Sequence, residues 1–171
     1  MKTKITFAIL FAITVLLLAF AYYLEYWRGI VPCPLCLLQR FCFYILAAIF
    51  LVACAATPKK SGYYTYSILT ILFAIVGMAI AGRQLYLQYN PPQDTGCAAD
   101  LTYLLQTFPL TQVLAKIFQG SPECATSQWS FLQLDMAGWA FIWFLIFAIV
   151  AVYILLRNHF ADFRSSINKE I

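Results

Sequence analysis

The chain has 171 residues, of which 63% are hydrophobic and only 11% are charged, and its mean hydropathy is +0.80. This composition excludes an ordinary soluble domain and predicts a protein embedded in lipid. The formal net charge of +4 is accounted for by the membrane topology derived next, so it does not indicate nucleic-acid binding.

Four stretches without a charged residue predict four membrane-spanning helices. They cover residues 5–24, 41–58, 61–82 and 136–156. Each is long enough to cross a hydrocarbon core of about 30 Å as a helix. We therefore predict an all-α membrane protein: a four-transmembrane-helix bundle that forms a single domain without internal repeats. The predicted plan is TM1 at about 5–24, an outer loop 25–36, TM2 at about 37–57, a cytoplasmic turn 58–62, TM3 at about 63–83, a long outer loop 84–135, TM4 at about 136–156 and a cytoplasmic tail 157–171.

The basic residues orient these helices by the positive-inside rule. Seven of the eleven fall on one side of the predicted membrane, namely Lys2, Lys4, Lys59, Lys60, Arg157, Arg164 and Lys169. The other four, Arg28, Arg40, Arg83 and Lys116, share the opposite side with five of the seven acidic residues. Both termini are therefore predicted to be cytoplasmic.

The first span has a second interpretation, because "AFA" at residues 19–21 also resembles a signal-peptide cleavage site. Cleavage there would leave three spans. The apolar run continues through Leu24, beyond a typical signal-peptide core of about 7 to 15 residues, which favours a membrane helix.

The stretch "VPCPLCLLQRFCFY", residues 31–44, places Cys33 and Cys36 at the start of TM2. A disulfide across two intervening residues restrains almost nothing and is usually a redox device. Pro34 can start a helix, so Cys36 is expected in the opening turn, where the helix dipole favours a thiolate. Arg40 lies one turn later on the same face and would add positive charge. The alternative role for Arg40 is a side chain that extends to lipid headgroups.

The long outer loop contains "FPLTQVLAKIFQG", whose apolar residues follow the spacing of one helical face. They are Leu110, Val113, Leu114, Ile117 and Phe118. Pro109 suits the first turn of this helix and Gly120 its end. We expect the helix to lie in the membrane interface and to hold the loop against the bilayer. Packing onto the helix bundle is the alternative.

The same loop carries Cys97 and Cys124, so four of the six cysteines lie on the predicted outer side. Cys42 and Cys54 fall inside TM2, where they are expected to be small packing residues. A disulfide between Cys97 and Cys124 could simply close the loop, a link worth roughly 3 to 4 kcal/mol. Four cysteines could also bind zinc or copper, although the single histidine, His159, lies on the other side of the membrane.

Three motifs in order, "PCPLCLLQR", "AGRQLYLQYNPPQDTGC" and "GSPECATSQWSFLQLDMAGW", resemble the disulfide bond formation protein B (DsbB) family of bacterial inner-membrane thiol oxidoreductases. The resemblance runs nearly end to end. It implies electron transfer from a periplasmic DsbA-like protein of thioredoxin fold to a membrane quinone, either ubiquinone or menaquinone. The reverse-direction vitamin K epoxide reductase family also places such a cysteine pair at a quinone, but the motif order around Cys97 and Cys124 fits DsbB better.

Carried over by position, the resemblance implies a relay of two disulfides. The partner would attack Cys97, and Cys124, once released, would transiently engage Cys33. Cys36 would remain as a thiolate facing the quinone, stabilised by Arg40. The loop disulfide would serve a partner that cannot reach the bilayer edge. We expect a monomer with its active cysteines on the periplasmic side.

One position departs from the resemblance. The family often has a histidine where this chain has Gln84, and the cation beside it is Arg83. Gln84 can hydrogen-bond a quinone oxygen but cannot deliver a proton at neutral pH. Arg83 and Gln84 are therefore candidate quinone contacts. The alternative is that both residues merely lie at the boundary between membrane and water. Two other classes of function stay open: a metal-binding membrane protein and a structural four-span protein with a plain loop disulfide.

Overall fold

A computed structural model describes residues 2–30, 32–56, 60–90, 109, 112, 130–131 and 134–170. Its long helices are α1 (Lys2–Arg28), α2 (Pro34–Ala55), α3 (Lys60–Tyr89) and α4 (Met136–Glu170). Two short strands, β1 (Ser130–Phe131) and β2 (Leu134–Asp135), form an antiparallel pair just before α4.

Within the described ranges, four helices are long and apolar enough to span a membrane: Thr3–Arg28, Pro34–Ala55, Gly62–Tyr89 and Met136–Phe160. At 1.5 Å per residue these segments are about 33 to 42 Å long, enough to cross the hydrocarbon core with some tilt. The predicted all-α fold with four transmembrane helices is confirmed, and the chain is a multi-pass membrane protein. The orientation of the termini stays a prediction.

The helices pack in chain order, α1 on α2, α2 on α3 and α3 on α4. Aromatic rings fill the middle of the bundle, where Phe43 stacks on Phe144 at 4.2 Å between centroids and Phe50 meets the edge of Phe147 at 5.5 Å. Gly77 allows α3 to approach α4, because a Cβ at this position would lie 2.5 Å from the buried Phe144 ring. A small residue at such a crossing is a common means of packing membrane helices closely.

Local signals set the helix ends on the predicted outer side. Gly29 adopts φ +64°, a left-handed conformation that ends α1, and the amide of Ile30 donates to the carbonyl of Leu24 at 3.4 Å. Asp135 precedes α4 and accepts a hydrogen bond from the amide of Gly138 at 3.0 Å, which caps the helix. Because α1 ends at Arg28 and α2 begins at Pro34, a short connection holds the outer ends of these helices together.

The predicted amphipathic helix of the long outer loop lies outside the described residues, apart from Pro109 and Gln112. At these two positions the amide of Gln112 donates to the carbonyl of Pro109 at 2.9 Å. Cys97, Cys124 and Lys116 also lie outside the described part of the chain.

Candidate functional site

The site is built on the first turn of α2. Cys33 occupies the N-cap position with an extended backbone (φ −70°, ψ 160°), and Pro34 follows it at the first helical position. The carbonyl of Cys33 already accepts the amide of Leu37 at 3.1 Å. Cys36 therefore lies in the opening turn, as the sequence predicts, where unpaired backbone amides and the helix dipole favour negative charge.

The two cysteines of this turn are in contact. Their Sγ atoms lie 3.1 Å apart, with the thiol of Cys33 donating to Cys36. Cys33 is buried and Cys36 is half-buried. A disulfide bond is roughly 2.0 Å long, so a small side-chain rotation would bring the sulfurs within bonding distance.

Gln84 reaches Cys36 from α3. Its Nε2 donates to the Sγ of Cys36 at 3.2 Å, and its Oε1 lies 3.5 Å from the same sulfur. The amide can therefore donate to a thiolate or accept from a thiol. The predicted candidate quinone contact is thus placed directly against the sulfur that the sequence singles out as the thiolate.

Gln39 fixes the orientation of that amide. Its Nε2 donates to Oε1 of Gln84 at 2.8 Å, and both side chains are only 5% exposed. With its oxygen bound to Gln39, Gln84 turns its NH2 group toward Cys36. Sequence reasoning did not identify Gln39. An amide inside an apolar span, three residues after Cys36 and on the same helical face, was the available signal.

Arg40 lies on the cavity side of α2 and makes its contacts with α1. It forms an ion pair with Glu25, donates from Nη2 to the carbonyl of Ala21 at 3.3 Å, and lies 5.1 Å from the ring centroid of Tyr22. The hydroxyl of Tyr22 is in turn hydrogen-bonded to that of Tyr44. Glu25 neutralises much of the charge of Arg40, a role that was not identified from the sequence.

A cavity of about 650 Å³ opens beside these groups. Its volume falls in the range of small-molecule sites, and its walls are mainly apolar. The apolar lining includes Leu17, Leu18, Phe20, Phe43, Met136, Trp139 and Trp143, and the polar lining includes Glu25, Arg28, Cys33, Cys36, Gln39, Arg40, Gln84, Gln88 and Asp135. Flat aromatic walls and a few convergent donors suit a planar apolar ring that carries acceptor oxygens.

Arg83 occupies a different position from its neighbour Gln84. Its guanidinium lies 5.3 Å from the ring centroid of Tyr86, and within the described residues it is outside the cavity lining. The structure therefore brings together Cys33, Cys36, Arg40 and Gln84 and leaves Arg83 to one side. The remaining predicted site residues, Cys97 and Cys124, lie outside the described part of the chain.

Asp135 adds a carboxylate to the cavity wall. Its Oδ1 caps α4, while its Oδ2 is buried and accepts no hydrogen bond from any residue that the structure describes. A buried oxygen without a partner in a cavity wall is consistent with a ligand that would complete its hydrogen bonding. The lining thus fits a quinone.

The remaining described cysteines are Cys42, which is buried, and Cys54, which is half-buried, both in α2. They lie 12 residues apart, about 18 Å along the helix axis, so they cannot pair with each other. In the described ranges no three His, Cys, Asp or Glu side chains converge as they would around a metal ion.

Comparison with known proteins gives a consistent result. The family model described as "Disulfide bond formation protein DsbB" matches residues 3–154. The chain is similar to the protein named "Disulfide bond formation protein B" of Azoarcus sp. strain BH72, with 39% identity over 149 residues that cover 87% of this chain and 90% of the relative. Relatives with the same name occur in Aromatoleum aromaticum, with 36% identity covering 92% of this chain and 95% of the relative, and in Marinobacter nauticus, with 36% identity covering 93% and 95%.

Proposed function

The chain belongs to the DsbB family of disulfide bond formation proteins, and from this premise we propose that it re-oxidises a periplasmic DsbA-type protein and passes the electrons to a membrane quinone. As a member of this family it is a disulfide oxidoreductase of the membrane. The proposal adds the electron donor, the electron acceptor and the route between them. It also places the protein in the bacterial inner membrane, with the cysteine turn of α2 on the periplasmic side.

The observation that carries the proposal is the contact between Cys33 and Cys36 at the wall of an apolar cavity. Their sulfurs lie 3.1 Å apart, and the cavity of about 650 Å³ is large enough for the ring of a quinone. A purely structural cysteine pair has no need for such a cavity, because a bridge across two residues restrains the chain very little.

The electrons enter through the long outer loop. The thiolate of the reduced partner attacks Cys97 of a Cys97–Cys124 disulfide, which forms a mixed disulfide and releases Cys124 as a thiolate. The partner's second thiol resolves the mixed disulfide, so that the partner leaves oxidised and both loop cysteines are reduced. In this relay the 26 residues between the two cysteines (98–123) present a reactive bond to a protein that cannot reach the bilayer edge.

The electrons then pass to α2. Cys124 attacks Cys33 of the Cys33–Cys36 disulfide, and Cys36 is released as a thiolate. Cys97 next attacks Cys124, which restores the loop disulfide and leaves Cys33 and Cys36 as a reduced pair. Each exchange forms one sulfur–sulfur bond and breaks one, so two electrons move without any net loss of disulfides until the final acceptor is reached.

The groups around Cys36 suit this last step. The Nε2 of Gln84 stabilises the thiolate at 3.2 Å, and its Oε1 can accept a hydrogen bond from the neutral thiol. Trp139 and Trp143 would border the bound ring, and Gln39 would keep the amide of Gln84 in place. When bound, the quinone would serve as the acceptor of two electrons and two protons.

Energetics explain why such an acceptor is required. DsbA-type proteins have potentials near −120 mV, whereas ordinary structural disulfides lie below about −300 mV. The difference corresponds to about 8 kcal/mol against re-oxidation of the partner. Quinone reduction is the step that can supply this free energy.

The test uses the purified full-length protein, a reduced DsbA-type protein and decylubiquinone or a menaquinone analogue, with quinone reduction measured by absorbance. Wild type should turn over, and Cys36→Ser and Cys97→Ser should each reduce the rate to the uncatalysed background. Cys54→Ser is the matched control on α2 and should keep wild-type turnover. A wild-type protein that reduces neither quinone, and whose Cys33 and Cys36 hold a stoichiometric metal ion instead, would overturn the proposal in favour of a metal site.

A further inference from the structure

The two oxygens of Asp135 have different surroundings. Oδ1 accepts the amide of Gly138 at 3.0 Å, whereas Oδ2 is buried in the wall region of the cavity without a hydrogen-bond donor among the described residues. Serine, threonine or asparagine would cap the helix equally well with one oxygen. Capping therefore explains the position of Oδ1. It does not explain why this residue has a second carboxylate oxygen or can carry a proton.

Burying the second oxygen is unfavourable unless something pairs with it. The cavity is the place from which a partner can come, because Asp135 lines it together with both cysteines and Gln84. A protonated carboxyl would donate from Oδ2 to a carbonyl oxygen in the cavity, and an ionised one would accept from a hydroxyl group. A quinone and its quinol present these two groups in turn.

The other charged or titratable groups of the cavity are engaged elsewhere or differ in chemistry. The described groups that face it are Tyr23, Glu25 and Arg28 from α1, Cys33 at the N-cap of α2, Cys36, Gln39 and Arg40 from α2, and the amides Gln84 and Gln88 from α3. Glu25 is ion-paired with Arg40, and an amide cannot release a proton at neutral pH. Among the carboxylates of the described lining, Asp135 is the one without an ion pair.

We propose that Asp135 is the proton-transfer residue of the cavity, which supplies a proton to quinone reduction and recovers one from the cysteine pair. This inference rests on the proposed function. Oxidation of the Cys33–Cys36 dithiol to a disulfide releases two electrons and two protons, and reduction of a quinone to its quinol consumes two electrons and two protons. Asp135 delivers one of these protons from Oδ2 and is reprotonated by one of the two that the thiols release. It supplies the proton that Gln84 cannot.

The first experiment needs no turnover. Binding of a quinone ring removes water from Asp135 and favours its protonated form, which can donate to the carbonyl. Addition of decylubiquinone to the oxidised full-length protein in weakly buffered solution should therefore take up about one proton per bound quinone, measured with an indicator dye. Binding itself can be followed by quenching of tryptophan fluorescence, because Trp139 and Trp143 line the cavity.

The variants separate proton transfer from capping. Asp135→Asn keeps a capping oxygen but cannot titrate, so it should bind quinone, take up no proton and lower kcat about 100-fold with a nearly unchanged KM for quinone. Asp135→Glu should recover much of the kcat. Asp162→Asn, which lies near the other end of α4, is the matched control and should behave as wild type.

The inference is overturned if Asp135→Asn takes up the same proton or turns over at the wild-type rate. If Asp135→Asn does not bind quinone, Asp135→Ser, which also caps, replaces it, and wild-type turnover by that variant overturns the inference. Failure of the proposed function looks different, since wild type itself would then reduce no quinone. In that case the proton-uptake measurement on wild type still tests the role of Asp135. If quinone addition causes no proton uptake, the inference is overturned.

Discussion

Two stretches of α2 carry cysteines in contrasting surroundings. At its start, Cys33 at the N-cap and Cys36 in the first turn are in contact beside a cavity, with amide and charged groups from the neighbouring helices around them. One turn and a half further along, Cys42 is 4% exposed and belongs to the hydrophobic core, and Cys54 lies near the end of the helix. The difference shows that the polar groups and the cavity, rather than the presence of a thiol, distinguish the reactive end of α2 from its packed middle.

The largest effect is expected from breaking the ion pair at the reactive end. Arg40→Met leaves Glu25 without its cation, and because the two side chains are only 11% and 27% exposed, we expect a loss of about 3 kcal/mol in the free energy of unfolding. The double variant Glu25→Leu with Arg40→Met should recover most of this loss, since it leaves no unpaired charge. Denaturation in detergent measures the free energy of unfolding of the single and the double variant. Equal stability of Arg40→Met and wild type would show that the pair is solvated and unimportant.

The cysteines themselves should differ in reactivity. In the fully reduced protein, iodoacetamide should modify Cys36 at least about 30-fold faster than Cys42, because an ordinary buried thiol is at most a few per cent ionised at neutral pH, whereas Cys36 has a helix N-terminus and the amide of Gln84. Timed alkylation followed by peptide mass spectrometry gives the two rates. Equal rates would mean that the first turn of α2 does not activate its thiol.

The packed centre of the bundle, where α3 crosses α4, should respond in stability rather than in the reactivity of Cys36. Gly77→Ala forces a methyl group toward Phe144, at 2.5 Å in the present packing, and should cost about 1.5 kcal/mol of unfolding free energy while Cys36 keeps its alkylation rate. Gly82→Ala is the control on the same helix: its Cβ would lie 3.8 Å from Phe141, so this variant should be neutral or slightly stabilised. Comparable losses in both variants would contradict the close approach at Gly77.

The smallest predicted effect concerns the orientation of the amide. Gln39→Leu removes the donor that holds Oε1 of Gln84, so the NH2 group of Gln84 would face Cys36 only part of the time. We expect the alkylation rate of Cys36 to fall about fivefold, which corresponds to about 1 kcal/mol. Gln88→Leu, another amide of the cavity lining, serves for comparison and should change this rate less, because no hydrogen bond joins Gln88 to Gln84 among the described contacts.

Several features of the reactive end could be predicted from local sequence. Proline at the first helical position placed Cys36 in the opening turn of α2, and charge-free runs of 18 residues or more predicted the four membrane helices. The fold class and the family followed from these runs and from three motifs in order. The place of Cys97 and Cys124 in a relay remains a prediction, because both residues lie outside the described part of the chain.

Other features could not be predicted because they join residues that are distant in sequence. Gln39 and Gln84 are 45 residues apart, and Glu25 lies 15 residues from Arg40 across the connection between α1 and α2. Asp135 directly precedes the predicted TM4, which indicates a helix cap. Nothing in the sequence indicates that its second oxygen remains in a cavity wall. Each of these contacts depends on which face of one helix meets which face of another.

The sequence by itself therefore determined that this protein has four membrane helices, that a cysteine pair begins the second, and that it belongs to a family of disulfide oxidoreductases. Only the tertiary structure decided that Gln84 contacts the sulfur of Cys36, that Arg40 is paired with Glu25, and that Asp135 lines the same cavity. The physical reason is that hydrophobicity and helix starts act over a few neighbouring residues, whereas a polar site in lipid forms only when packing brings together side chains from separate helices.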